Sequence, residues 1–160
     1  MAETLLPDIV ETLYAILSVN WTNGNTNSRT PTFYKREATR REEHQNTDSI
    51  IIYDKASTIT ERGIMHQHAT YKDYATIECR TSQGPRQAQR MKIEVQRIIH
   101  ANDSVPTCYT SYTDASTYTA ATSPYDTIEV KGTNRPWVSD EDTRLTVEVE
   151  GCLIYEVHWT

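Results

Sequence analysis

Glycine is scarce in this chain, with five residues in 160, and none sits in a run that a phosphate-cradling loop or a glycine-flanked serine elbow would need. Cysteine is scarcer still. Cys79, Cys108 and Cys152 are odd in number and lack CxxC spacing, so neither a disulfide framework nor a zinc knuckle is indicated, and synthesis inside the cell is the simpler expectation. The only apolar run near the N-terminus is broken by Pro7, Asp8 and Glu11, which leaves no signal peptide and no membrane span to expect. Positive charge is in deficit: 16 Lys and Arg face 22 Asp and Glu, a formal net charge of −6. That balance argues against a general nucleic-acid binder, whose affinity comes from neutralising phosphates. HExxH and recognisable paired-carboxylate motifs are absent as well, so neither enzymatic activity nor a cofactor is expected.

What is present is a modest core with β-rich surroundings: 37% hydrophobic residues and 24 threonines, in a length suited to one domain. Leu5 to Val19 reads as an amphipathic helix, with Ile9, Leu13, Ile16 and Leu17 on one stripe, Val10 and Tyr14 widening it, and Asp8 placed as its cap. Asn20 to Pro31 is rich in Asn, Thr and Ser and reads as an exposed loop, followed by a short strand over Thr32 to Lys35. Lys35 to Gln45 mixes both signs of charge, which reads as a solvated face rather than a phosphate-contacting patch. Ser49 to Asp54 is apolar on both faces, as in a central strand covered on two sides.

Gly63 to Thr70 is expected to form a strand, with a turn near Tyr71-Lys72-Asp73 and then a second strand over Tyr74 to Arg80, in which Ala75, Ile77 and Cys79 share a face. Arg86 to His100 places Ala88, Met91, Val95 and Ile98 on one helical stripe; Ser82 is its expected N-cap, Pro85 lies in its first turn and Asn102-Asp103 marks its stop. Ser104 to Asp126 holds Tyr109, Tyr112, Tyr118 and Tyr125 among Thr, Ser and Ala. Too few aliphatic residues lie there for a core, so it reads as a long loop or extended hairpin, either a flexible surface segment or a docking surface. Thr127 to Lys131 is a short strand, and Gly132 to Asp142 a loop with Pro136-Trp137 as an anchored corner.

The closing segment, Arg144 to Trp159, alternates clearly. Leu145, Val147, Val149, Leu153, Tyr155, Val157 and Trp159 take one face; Glu148, Glu150, Cys152 and Glu156 take the other. Such a length exceeds the usual strand, so Gly151 is expected as a bulge or bend, or part of the strand reaches a neighbouring subunit. The fold class that follows is α+β, a mostly antiparallel sheet with two helices packed on one face. His66-Gln67-His68 puts two imidazoles on one strand face, two metal ligands where three or four are needed, and surface or interface histidines are the default.

This order of elements resembles the tail-terminator and tail-completion proteins of the neck in tailed phages and tailed archaeal viruses. The likeness lies in the N-terminal helix Leu5-Leu6-Pro7-Asp8-Ile9-Val10, the strand Ala75-Thr76-Ile77-Glu78-Cys79-Arg80, the helix from Ala88 to Ile99 and the closing strand Arg144-Leu145-Thr146-Val147-Glu148-Val149. The resemblance implies a structural virion protein, assembled in the host cytoplasm as a homo-oligomeric ring, commonly a hexamer. Such a ring stops growth of the tail tube and joins it to the head connector, so the implied partners are the tail tube protein and the connector or adaptor protein, with DNA only passing through the lumen. Glu148, Glu150 and Glu156 would line that lumen, where negative charge lets DNA slide. Tyr109, Tyr112, Tyr118, Tyr125 and Trp137 would make contacts with neighbours. The competing readings are another minor tail or adaptor protein of the same architecture, a monomeric binding module that grips its partner through the Tyr-rich loop, and a small metal-dependent enzyme using His66 and His68.

Overall fold

The computed structural model describes residues 9–35, 48–55, 58–62, 68–102, 107–109, 120–122, 125, 127–133, 137–138 and 142–156. Helix α1 spans Ile9–Asn20 and buries Ile9, Val10, Leu13, Ile16 and Leu17, the stripe that its spacing predicts. Asp8, the expected cap, lies outside the described residues. Helix α2 spans Pro85–Ala101 and buries Ala88, Met91, Val95 and Ile98, together with Ile99.

Both ends of α2 are set by single residues. Its N-cap is Gly84, not Ser82: the chain enters at φ 94°, a conformation glycine takes at no steric cost, and no side chain caps the first turn. Pro85 then supplies a helical φ where an amide hydrogen would be unused. At the other end Asn102 stops the helix as expected, its side-chain amide donating to the Ile98 carbonyl at 2.7 Å and its backbone N–H to that of Ile99 at 3.1 Å.

The described residues form nine strands: β1 (Thr32–Lys35), β2 (Ser49–Asp54), β3 (Thr58–Arg62), β4 (His68–Thr81), β5 (Thr107–Tyr109), β6 (Ala120–Thr122), β7 (Thr127–Thr133), β8 (Trp137–Val138) and β9 (Thr143–Glu156). Seven of them make one open sheet of order β1-β2-β4-β9-β7, with β3 added to β4 and β8 to β9; only the β1–β2 pairing is parallel. The chain is thus α+β, as its pattern predicts. The C-terminal strand is inserted centrally between β4 and β7, so the sheet is completed only by the last strand of the chain. On one face Ile50, Ile52, Ala75, Ile77, Cys79, Ile128, Leu145, Val147 and Val149 meet the apolar stripes of both helices in a single core.

Three expectations about the strands are corrected. No turn occurs at Tyr71-Lys72-Asp73, because β4 runs unbroken through it, paired to β9 from His68↔Glu156 to Thr81↔Thr143. The polar triplet misled because its alternation serves a strand: Lys72 faces out, while Asp73 turns into the core side and is only 5% exposed. Nor is Gly151 a bulge; the irregularity falls in β7, between Val130 and Gly132, and β9 pairs with β4 in unbroken register from Thr143 to Glu156. Gly151 serves close packing instead. A Cβ there would stand 2.8 Å from the Tyr125 ring and 2.9 Å from Ile9 Cδ1. Finally, the loop expected over Gly132 to Asp142 contains the end of β7 and the two residues of β8, among them Trp137.

Candidate interaction surfaces

The face of the sheet away from the helices carries the even-numbered residues of β4 and β9, side by side through the register Lys72↔Cys152, Tyr74↔Glu150, Thr76↔Glu148, Glu78↔Thr146 and Arg80↔Arg144. On it every glutamate that can be traced has a cation. Glu148 accepts a hydrogen bond from Lys55 Nζ at 2.7 Å and another from Thr76 Oγ1 at 3.0 Å. Glu150 lies 3.8 Å from both Lys72 and Lys131, and Glu78 takes the Tyr53 hydroxyl at 3.0 Å with Arg144 at 3.6 Å. Burial raises the Tyr53 phenol pKa, and the charge of Glu78 raises it further, so the hydroxyl remains a donor. Arg80 and Arg144 share Asp142.

Among the described residues this face is therefore charge-balanced, with Glu148 and Glu150 each beside a lysine. The register brings lysines from β4, β7 and the end of β2 beside them, which single-strand alternation does not reveal. Glu156 pairs with His68 by register at the far end of the same ladder. Part of the face is covered: Ile51 is fully buried there, and Thr146 Oγ1 is buried without a hydrogen-bond partner among the described residues.

The tyrosines divide. Tyr125, expected at an interface, is a core residue, 2% exposed, whose hydroxyl donates to Asp73 Oδ2 at 2.9 Å across the space that Gly151 leaves. Sequence position at the edge of a Tyr/Thr-rich stretch hid this, since nothing local marks one tyrosine as buried. Tyr109 stands in β5, which pairs with β6 as a separate two-stranded sheet, the hairpin alternative for this segment. Tyr112 and Tyr118 lie outside the described residues, as do His66 and residues 36–45 of the mixed-charge segment.

The loop after α1, which reads as merely exposed, is fastened to α2. Glu94, 1% exposed at its side chain, accepts from the Thr22 backbone N–H at 3.0 Å and from Asn25 Nδ2 at 2.7 Å, and forms an ion pair with Arg97. Burial pushes the Glu94 carboxyl pKa up, yet the bonds from Arg97, Asn25 and Thr22 outweigh it and hold the group below the ordinary glutamate range. Further along, Asp48 is a second buried anchor, receiving Thr81 Oγ1 at 2.6 Å and both Arg29 Nε and Gln87 Nε2 at 2.9 Å.

No protein-family model matches this chain, and no curated protein does either. Its fold occurs in a virion. A solved structure titled "Virion of native gene transfer agent (GTA) particle" contains a chain that superposes with a TM-score of 0.55 at 8% sequence identity, over 92% of this chain and 95% of that one. At that identity the likeness is one of fold. Its extent shows that the elements described above, rather than a fragment of them, are shared.

Proposed function

We propose that this chain is a structural virion protein of a tailed virus or a particle of similar build, one subunit of a homo-oligomeric ring at the head–tail neck. In this reading the ring terminates or completes the tail tube and meets the head connector, with DNA passing through its lumen. The observation that carries it is the fold shared, end to end, with a chain of the gene transfer agent virion. The open sheet supports it: among the described strands β1 and β7 end the sheet at opposite sides, and head-to-tail closure is a way to cover such edges. The charge-balanced outer face is compatible with a lumen wall through which DNA slides, by absence of net attraction rather than by repulsion. The β5–β6 pair with Tyr109, the sequence between its strands with Tyr112 and Tyr118, and Trp137 are the contacts proposed for neighbours.

Native mass spectrometry of the purified chain tests the ring. A discrete closed species, most tellingly a hexamer, is expected. A monomer at every concentration and salt, with the hairpin still gripping a partner in pull-down, would favour the binding-module reading, which the separate β5–β6 sheet also supports.

A further inference from the structure

Every described lysine and arginine side chain of the sheet is paired with a carboxylate, but the start of α2 is different. Arg86 and Arg90, one exposed and one half-buried, form no ion pair with a described residue. Together with Arg29 they line a pocket of about 190 Å³ whose remaining walls are the amides of Asn27, Gln83 and Gln87. Among the described residues no acidic side chain lines it, and Asp48 stands behind it on Arg29 and Gln87. Its rear wall is rigid, because Gln87 is 4% exposed and its amide donates to the Thr26 carbonyl at 3.0 Å and to Asp48 Oδ2 at 2.9 Å. Arg29 is fixed against the same carboxylate.

The floor adds donors of its own. Gly84 caps α2 without a side-chain acceptor, and the first turn contains no acid, so the N–H groups of Arg86 and Gln87 have no acceptor among the described residues. The two unpaired guanidinium groups of Arg86 and Arg90, the outer nitrogens of Arg29, the amides of Asn27 and Gln83 and the helix-terminal N–H groups without an acceptor are, around one small pocket, the donor set of an oxyanion site. In a chain with an overall charge of −6, the described arginines without an ion pair are Arg86 and Arg90, both at the start of α2.

We propose that the Arg29–Arg86–Arg90 pocket is a carboxylate-binding site that receives an acidic side chain from a peptide segment of a partner protein. The size admits one oxyanion, and the guanidinium fork matches the two oxygens of a carboxylate. A DNA strand is disfavoured as occupant, since the net negative charge of the chain opposes a polyanion while a single acidic side chain feels little of it. The site does not depend on ring closure and is read on the isolated chain.

The test is a ¹⁵N-resolved NMR titration of the whole protein with a short acetyl-tetraglutamate amide, with a parallel arm using short duplex DNA. Amide shifts centred on Arg86 and Gln87 are expected from the peptide, with affinity that falls as salt rises. The double variant Arg86→Gln, Arg90→Gln should retain the wild-type spectrum elsewhere, since neither side chain holds the fold, and should bind the peptide roughly tenfold more weakly. Arg29 is left in place because it is tied to Asp48. Absence of peptide shifts up to millimolar concentration, shifts that map elsewhere, or equal affinity in the double variant each overturn the proposal. So does duplex DNA that binds the pocket more tightly than the peptide.

Discussion

Gly151 sits where β9 faces the ring of Tyr125 and the end of Ile9, so the first methyl group added there meets two core side chains below 3 Å. Gly151→Ala is expected to cost about 1–3 kcal/mol, the range for overpacking a tight core. The check is urea unfolding, with a lower midpoint at unchanged slope; an unaltered midpoint would mean that the Tyr125 ring yields freely. Glu94 makes a second prediction at this scale. Its folded pKa lies below the ordinary value of about 4.3, so its contribution is complete above that value and is lost as pH falls through the lower folded one. Glu94→Gln should therefore be less stable at neutral pH and lose less stability than wild type between there and about pH 3, as read from urea midpoints at each pH. Parallel profiles would show that the carboxylate has no special standing in the fold.

At the scale of elements, β5 and β6 hydrogen-bond only to each other among the described strands, in contrast to the seven strands of the main sheet, and β5 lies against α1. Replacing residues 107–122 by a short Gly/Ser linker should leave a cooperative thermal transition and the far-UV signature of the sheet, while abolishing assembly if this segment supplies contacts. Loss of the folded state on this replacement would count against the hairpin as an appendage. The contrast also explains what the sequence discloses. α1, α2, β2 and β9 are legible because apolar periodicity reports directly on which face meets the core. The insertion of β9 between β4 and β7 is not, since pairing partners are chosen by the whole sheet. Hence the lysines beside Glu148 and Glu150 and the interior place of Tyr125 emerge only with the register, and the arginine pocket only when the loop at Arg29 and the start of α2 are brought together.

For the whole molecule, charge and assembly pull in opposite directions. In the proposed ring each copy of the chain would carry a net −6, and closure would gather that charge within a few Debye lengths, so like-charge repulsion would oppose it most strongly in dilute salt. The described carboxylates and bases of the β4–β9 face pair within one chain, so in the proposed ring that face would add no attraction between copies. If closure rests on sheet edges and aromatic contacts, screening should favour it. The ring fraction in sedimentation velocity is then expected to rise from low to moderate salt, and to rise again as pH is lowered toward the isoelectric point near 5.3, where the net charge vanishes. A ring that dissociates as salt is added would reverse the assignment. It would place ion pairs at the subunit boundary, with the acidic excess of one copy seated against exposed bases of the next, and the free arginines of α2 would be the first place to look for them.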